Sequence, residues 1–179
     1  MTTKRKVVAL TKAQIAKLTN EQKAVIIAKD ALAQLKAERI IPKTGNYFVR
    51  TKADGTWLDS GPAEDASAKQ VQNYVLRLKD CYACAKGTAA LCYIRKFDGI
   101  SGHGFSYAIN GHLDELRVVL PRLDLMEACF EDWIHKGAYE FPASVQRMTP
   151  FKKLEWMWKN IIKNKGKLVL PGDTVPGVY

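Results

Sequence analysis

No stretch of this 179-residue chain approaches the roughly 20 consecutive apolar residues that a membrane-spanning helix requires. The opening MTTKRKVVAL also lacks the apolar core and small-residue cleavage site of a secretory signal, so the expectation is a cytoplasmic protein with no membrane partner. Catalytic signatures are missing too: there is no Gly-x-Ser-x-Gly, no His-Glu-x-x-His, no paired-carboxylate pattern and no phosphate loop ending in Gly-Lys-Ser/Thr. Common hydrolytic and nucleotide-cleaving chemistries are thereby disfavoured. Cysteine (four) and histidine (three) are scarce, and four cysteines in a leaderless chain of this length read as reduced thiols rather than a disulfide framework. Tandem repeats and low-complexity tracts are also missing. The 47% hydrophobic and 26% charged composition is that of one globular unit with a sizeable core.

What the chain does have is positive charge. Lysine and arginine number 28 against 18 acids, a formal net charge of +10. The excess is uneven: residues 1–50 hold 11 bases and 3 acids, 51–100 hold 7 and 6, 101–150 hold 4 and 7, and 151–179 hold 6 and 2. The two ends are basic and the third quarter is acidic. A field of this sign concentrates polyanions, so nucleic acid and nucleotides are the favoured partners, while Lys-rich solvated helix faces are the bland alternative.

Local grammar predicts helices first. Thr11-Lys-Ala-Gln14 and Thr19-Asn-Glu-Gln22 are capping boxes that start two consecutive helices. The second carries Ala24, Ile27, Ala28, Ala31, Leu32 and Leu35 on one face and is stopped by Pro42 and Gly45. Tyr47 to Lys52 and Thr56 to Asp59, joined by Asp54-Gly55, predict a β-hairpin. Helical spacing returns over Val71–Leu78, and Asp80 is the expected N-cap of a helix over Cys81–Arg95 whose small residues make it the buried centre. Phe97 to Gly111, with four glycines, reads as a loop that carries a brief strand at Phe105 to Ile109. Helices follow over Leu113–Leu120 and Arg122–Trp133. Thr149-Pro150 caps a last one, whose stripe is Phe151, Leu154, Trp158 and Ile161, whose Lys152 and Lys153 lie elsewhere, and which Gly166 closes. The sum is helix-dominated α+β: about six helices around a buried central helix with a small hairpin. Residues 1–10 form a basic N-terminus, 11–166 one globular domain and 167–179 a weakly held extended tail.

Cys81-x-x-Cys84 raises redox and zinc readings. A helix, not a strand, is expected to feed it, which argues against a thioredoxin-like pair, and the further ligand candidates Cys92, Cys129, His103, His112 and His135 fall at no familiar spacing. Structural cysteines are the expectation, with no metal and no cofactor. A cysteine nucleophile with His103 or His112 as base is a third-ranked enzymatic reading. Gly99-Ile-Ser-Gly-His-Gly offers backbone N–H groups to an anion. Trp156, beside Lys152, Lys153 and Lys159, is the aromatic best placed to stack a base.

Three blocks carry a resemblance: Glu21 to Leu35 leading to Gly45-Asn-Tyr-Phe, then Cys81-Tyr-Ala-Cys-Ala-Lys-Gly-Thr-Ala, then Leu125-Met-Glu-Ala-Cys-Phe-Glu with Asn160-Ile-Ile-Lys-Asn-Lys-Gly. In this order, over about residues 20–170, they resemble small proteins of tailed bacteriophages and prophages. The resemblance implies a phage accessory product acting in the bacterial cytoplasm against host defences, and transfers no catalytic residue. The expected function is non-catalytic binding of an anionic nucleotide or nucleic acid, with contacts from Lys43, Arg50, Lys86, Arg95, Lys96, His103, Lys152 and Lys153. The alternative is a host-protein inhibitor that uses the acidic residues Asp114, Glu115, Asp124, Glu127, Glu131 and Asp132.

Overall fold

The computed structural model describes residues 10–45, 48–50, 66–78, 81–97 and 113–173, with residues 48–50 and His135 described by backbone alone. In chain order the elements are α1 (Lys12–Ala16), α2 (Asn20–Lys36), β1 (Ile40–Pro42), β2 (Phe48–Arg50), α3 (Ala68–Arg77), β3 (Cys81–Ala83), α4 (Ala85–Lys96), α5 (Leu113–Val119), α6 (Leu123–Phe130), α7 (Ala143–Gln146) and α8 (Pro150–Lys163). Two single 3-10 turns, Ile134–Lys136 and Ala138–Glu140, link α6 to α7. The fold is helix-dominated α+β, as the sequence pattern requires.

Both expected capping boxes form. Thr11 and Thr19 accept from the N–H groups of Gln14 and Gln22, whose side chains reach back to the cap backbone. Ser67 and Gln70 build a third at the start of α3. The stop of α2 comes earlier than Pro42: Glu38 takes φ +55, and the N–H groups of Glu38 and Arg39 donate to Leu35 and Gln34 carbonyls. A non-glycine residue in this left-handed position carries no sequence signature, so Ile40–Pro42 was left free to become a strand.

The sheet has strand order β1-β3-β2. β1 runs parallel to β3 with Ile40 opposite Cys81, and β2 runs antiparallel with Phe48 opposite Ala83. Tyr47 to Lys52 therefore contributes a strand, but its partner is β3; the expected return strand Thr56 to Asp59 and the brief strand at Phe105 to Ile109 lie outside the described residues. The helix expected over Cys81–Arg95 needs correction at its start. Its first three residues are β3, and the N-cap is Cys84, whose sulfur accepts from Gly87 N–H at 3.4 Å. Ala83 and Ala85 disguise the change of state because alanine is compatible with both. A strand therefore does feed this helix.

From its cap onward α4 is the buried centre. Ala85, Gly87, Thr88, Ala89, Ala90, Leu91, Cys92, Ile94 and Arg95 are all buried, and the helix packs on α2, α3, α5 and α6. α8 also packs on α2, its end against the start of α2 at Glu21 and so antiparallel to it, burying Leu154, Met157, Trp158 and Ile161. The segment after α8 is better held than its composition suggests. Leu168 and Leu170 are buried, Asn160 brackets Val169 with two hydrogen bonds of 2.8 and 2.9 Å, and Arg122 grips Asp173.

Gly166 ends α8 with its N–H on Ile161 O at 2.8 Å and φ +102. A Cβ there would stand 2.4 Å from the carbonyl oxygen of Glu21 at the start of α2. Gly166→Ala is therefore expected to destabilise the fold by about 3 kcal/mol or more, through left-handed strain together with overpacking against backbone that cannot yield. Gly172→Ala, at φ +98 in open space, isolates the strain alone and should cost about 1–2 kcal/mol. Urea denaturation of both variants checks the difference.

Candidate functional site

Six of the eight basic positions expected from sequence have described side chains. Arg95 is buried, its Nε 2.8 Å from Asp30 Oδ2, and Lys96 reaches the other oxygen of the same carboxylate at 3.2 Å. Lys153 is also buried: contrary to the expected exposed placement on α8, its ammonium donates to Cys129 O at 3.1 Å and to Asp132. Lys86 pairs with Asp124 at 2.7 Å, Lys152 with Glu155 at 2.8 Å, and Lys43 lies over the Tyr82 ring at 5.0 Å. Arg50 sits on β2 with its side chain outside the described residues, as is all of His103. Of the eight, those with described side chains are mostly engaged within the protein.

The acidic residues are engaged as well. Arg117 binds Asp114 and Asp124, each at 2.9 Å, and Tyr93 OH donates to Glu115 at 3.1 Å. Trp156 is half-buried with its ring edge against Phe141, so it offers a partial face only. Trp158 is buried outright.

All four cysteines are buried. Burial pushes the Cys92 thiol well up, with Asp30 adding to it, and pushes Cys129 up to about 11. Cys84 is pushed up by burial and then by the neighbouring Glu127. None of these three has the depressed pKa and access of a thiolate nucleophile, which the enzymatic reading demands.

Two constellations are brought together by the fold. The first is the inner charge group where α2 crosses α4: Asp30 accepts from Arg95, Lys96 and Gln34, while Gln34 Oε1 is buried without a partner. Gln34 and Arg95 line a recess with Arg39 and Cys81 that has room for about one water molecule at most. The second is at the junction of β3 and α4. There Cys84 Sγ and one carboxylate oxygen each from Glu127 and Glu131 all lie within 4.8 Å of one another. Glu127, on α6, accepts from Lys86 N–H at 2.8 Å in the first turn of α4, and Glu131 accepts from Gly45 N–H, also at 2.8 Å. Burial, with Glu127 and Asp132 nearby, raises the Glu131 carboxyl despite that hydrogen bond.

From the sequence Cys84 is a candidate ligand with cysteine and histidine expected beside it, whereas the fold sets two glutamates there. Glu127 and Glu131 stand four apart and so share one side of α6 and its continuation, a spacing that was visible. Their convergence on Cys84 was not, since it depends on how α6 meets the strand-to-helix junction.

The largest surface difference is made by α2 and α8. Residues 11–43 hold 7 bases and 3 acids, residues 150–167 hold 6 bases and 1 acid, and packing α2 on α8 joins the two. Lys12, Lys17, Lys29, Lys36, Lys163 and Lys165 of this half are exposed.

Two outcomes follow. Asp30→Ala should cost about 3–5 kcal/mol in denaturant titrations because it strands buried Arg95, whereas replacing Asp30 and Arg95 together by apolar residues should recover most of that loss. Hydrogen bonding from Arg117, aided by Lys86, holds Asp124 down at about 2. Its contribution is thus present above the ordinary carboxylate range and lost as pH falls from about 4 to about 2. The melting-temperature difference between the parent and Asp124→Asn should be full at pH 6 and vanish over that window.

No protein-family model matches the chain, and comparison with curated proteins and with solved structures likewise finds no match.

Proposed function

We propose that this protein binds nucleic acid through the phosphate backbone, without catalysis, using the exposed lysines of the α1, α2 and α8 half. The observation that carries this reading is the antiparallel packing of α2 on α8. It brings together the two basic segments of the chain, separated by more than 100 residues, which over residues 11–43 and 150–167 hold 13 bases, the buried Lys153 among them, against 4 acids. Seventeen residues of α2 extend about 25 Å, a length over which duplex DNA presents many phosphates. Paired residues such as Arg95 and Lys153 serve the interior, so the contacts pass from them to lysines that remain exposed. An extended basic half suits a strand better than a single nucleotide, for which the recess beside Arg95 is too small. In the phage setting that the sequence resemblance implies, such binding suits an accessory product directed at host or viral nucleic acid.

Fluorescence anisotropy with a mixed-sequence 20-nucleotide strand and its duplex tests the reading. Binding is expected at 50 mM salt, with affinity falling linearly on a log–log salt plot. Lys29→Glu/Lys36→Glu and Lys163→Glu/Lys165→Glu should each lower affinity by at least about tenfold and flatten the salt slope. Undetectable binding at 50 mM salt, or binding indifferent to salt, overturns it. Binding of mononucleotides equal to that of the strands would also reject the backbone reading.

A further inference from the structure

Two carboxylates and a thiol are gathered at the β3–α4 junction, their ligand atoms all within 4.8 Å of one another. Glu127 is 5% exposed and Cys84 1%, Glu131 is half-buried, and among the described residues neither glutamate takes part in an ion pair. The neighbouring lysines are committed elsewhere, Lys86 to Asp124 and Lys153 to Asp132. Facing the two adjacent carboxylates are backbone N–H groups, the Cys84 thiol at Glu127 and the more distant charge of Lys153 at Glu131, a set that a directly bound cation would complement.

We propose that Cys84, Glu127 and Glu131 hold a divalent, borderline-soft transition-metal ion of the zinc type, bound by Cys84 Sγ and one oxygen of each carboxylate, with water in the fourth position. The donor set carries the argument. One thiolate with two carboxylates suits zinc better than the oxygen-only shells of calcium and magnesium. Zinc–ligand bonds of about 2.0–2.3 Å put ligand atoms about 3.3–3.8 Å apart, so donors within 4.8 Å of one another close on an ion by side-chain torsion alone. The three donors come from three places, the cap of α4, the body of α6 and the residue after it. Each is already oriented by a backbone donor: Gly87 N–H on the sulfur, Lys86 N–H on Glu127 and Gly45 N–H on Glu131. Such supports around the ligands are what a metal site needs to keep its geometry. Binding displaces the thiol proton to solvent, and the ion sets two positive charges directly against the thiolate and the two carboxylates.

This site is independent of the nucleic-acid reading, and its test uses the full chain purified without chelator. Elemental analysis is expected to find about one equivalent of zinc after equilibration with the metal. The cobalt-substituted protein should show a thiolate-to-cobalt charge-transfer band in the near ultraviolet, lost in Cys84→Ser and retained in Cys129→Ser, which alters an equally buried thiol outside the cluster. Glu131→Gln should lower zinc affinity at least about tenfold in a competition titration while keeping the parent circular dichroism. Less than about 0.1 equivalent of metal and no cobalt band in the folded chain overturn the proposal, as does a band that survives Cys84→Ser. Should Cys84→Ser fail to fold, Glu131→Gln decides alone: unchanged zinc affinity means that the carboxylates share a proton instead.

Discussion

Asp30 and Arg95 meet at 2.8 Å where α2 crosses α4, and both side chains are almost wholly removed from solvent. An ion pair in that position is not a large net source of stability, because desolvating both charges offsets most of their attraction. What it does is determine which way the two helices can sit. Arg95 lies near the end of α4 and Asp30 in the middle of α2, so sliding either helix by one turn leaves a charge buried without its partner. The apolar surroundings, including Ala31, Leu91 and Ile94, tolerate many packings; the charged pair tolerates one. The other contacts of α4 follow from that register.

Much of the helical architecture was legible because it is written locally. Thr19 with Gln22 announces α2, Thr149 with Pro150 announces α8, and apolar positions at 3.6-residue spacing mark their inner faces. Failures came where the deciding partner is remote in sequence. Glu38 stops α2 in a conformation normally left to glycine. Cys81–Ala83 is a strand because Ile40–Pro42 and Phe48–Arg50 lie on either side of it, and no property of Cys-Tyr-Ala by itself says so. Lys153 belongs to the interior only because Cys129 O and Asp132 are there to receive it.

The same reasoning separates useful charge from structural charge. Net charge and its distribution along the chain were readable at once, but the fate of an individual lysine was not. Lys86, Lys96, Lys152 and Lys153 all find carboxylates, while exposed lysines remain on α1, α2 and the end of α8, and also at Lys43, Lys69 and Lys136. Pairing inside the protein thus shapes the surface field: Lys86 and Lys153 take up acids of residues 113–132, and Lys152 and Lys159 share Glu155 on α8 itself. The candidate metal cluster illustrates the converse, a place where Glu127 and Glu131 gather without an ion pair among the described residues.

The contact between Gly166 and the first turn of α2 bears on the order in which the chain can fold. α2 is made early, yet the helix that covers its outer side is made more than 100 residues later. Closing so long a loop is entropically costly and must precede any gain from the buried face. While the chain is being synthesised, α2 can dock on α4 but keeps the part of its surface that meets α8 uncovered until α8 has left the ribosome. The Lys-rich outer surfaces of both helices then serve a second purpose, holding an incomplete intermediate apart from its copies through like-charge repulsion until the last helix closes over the core.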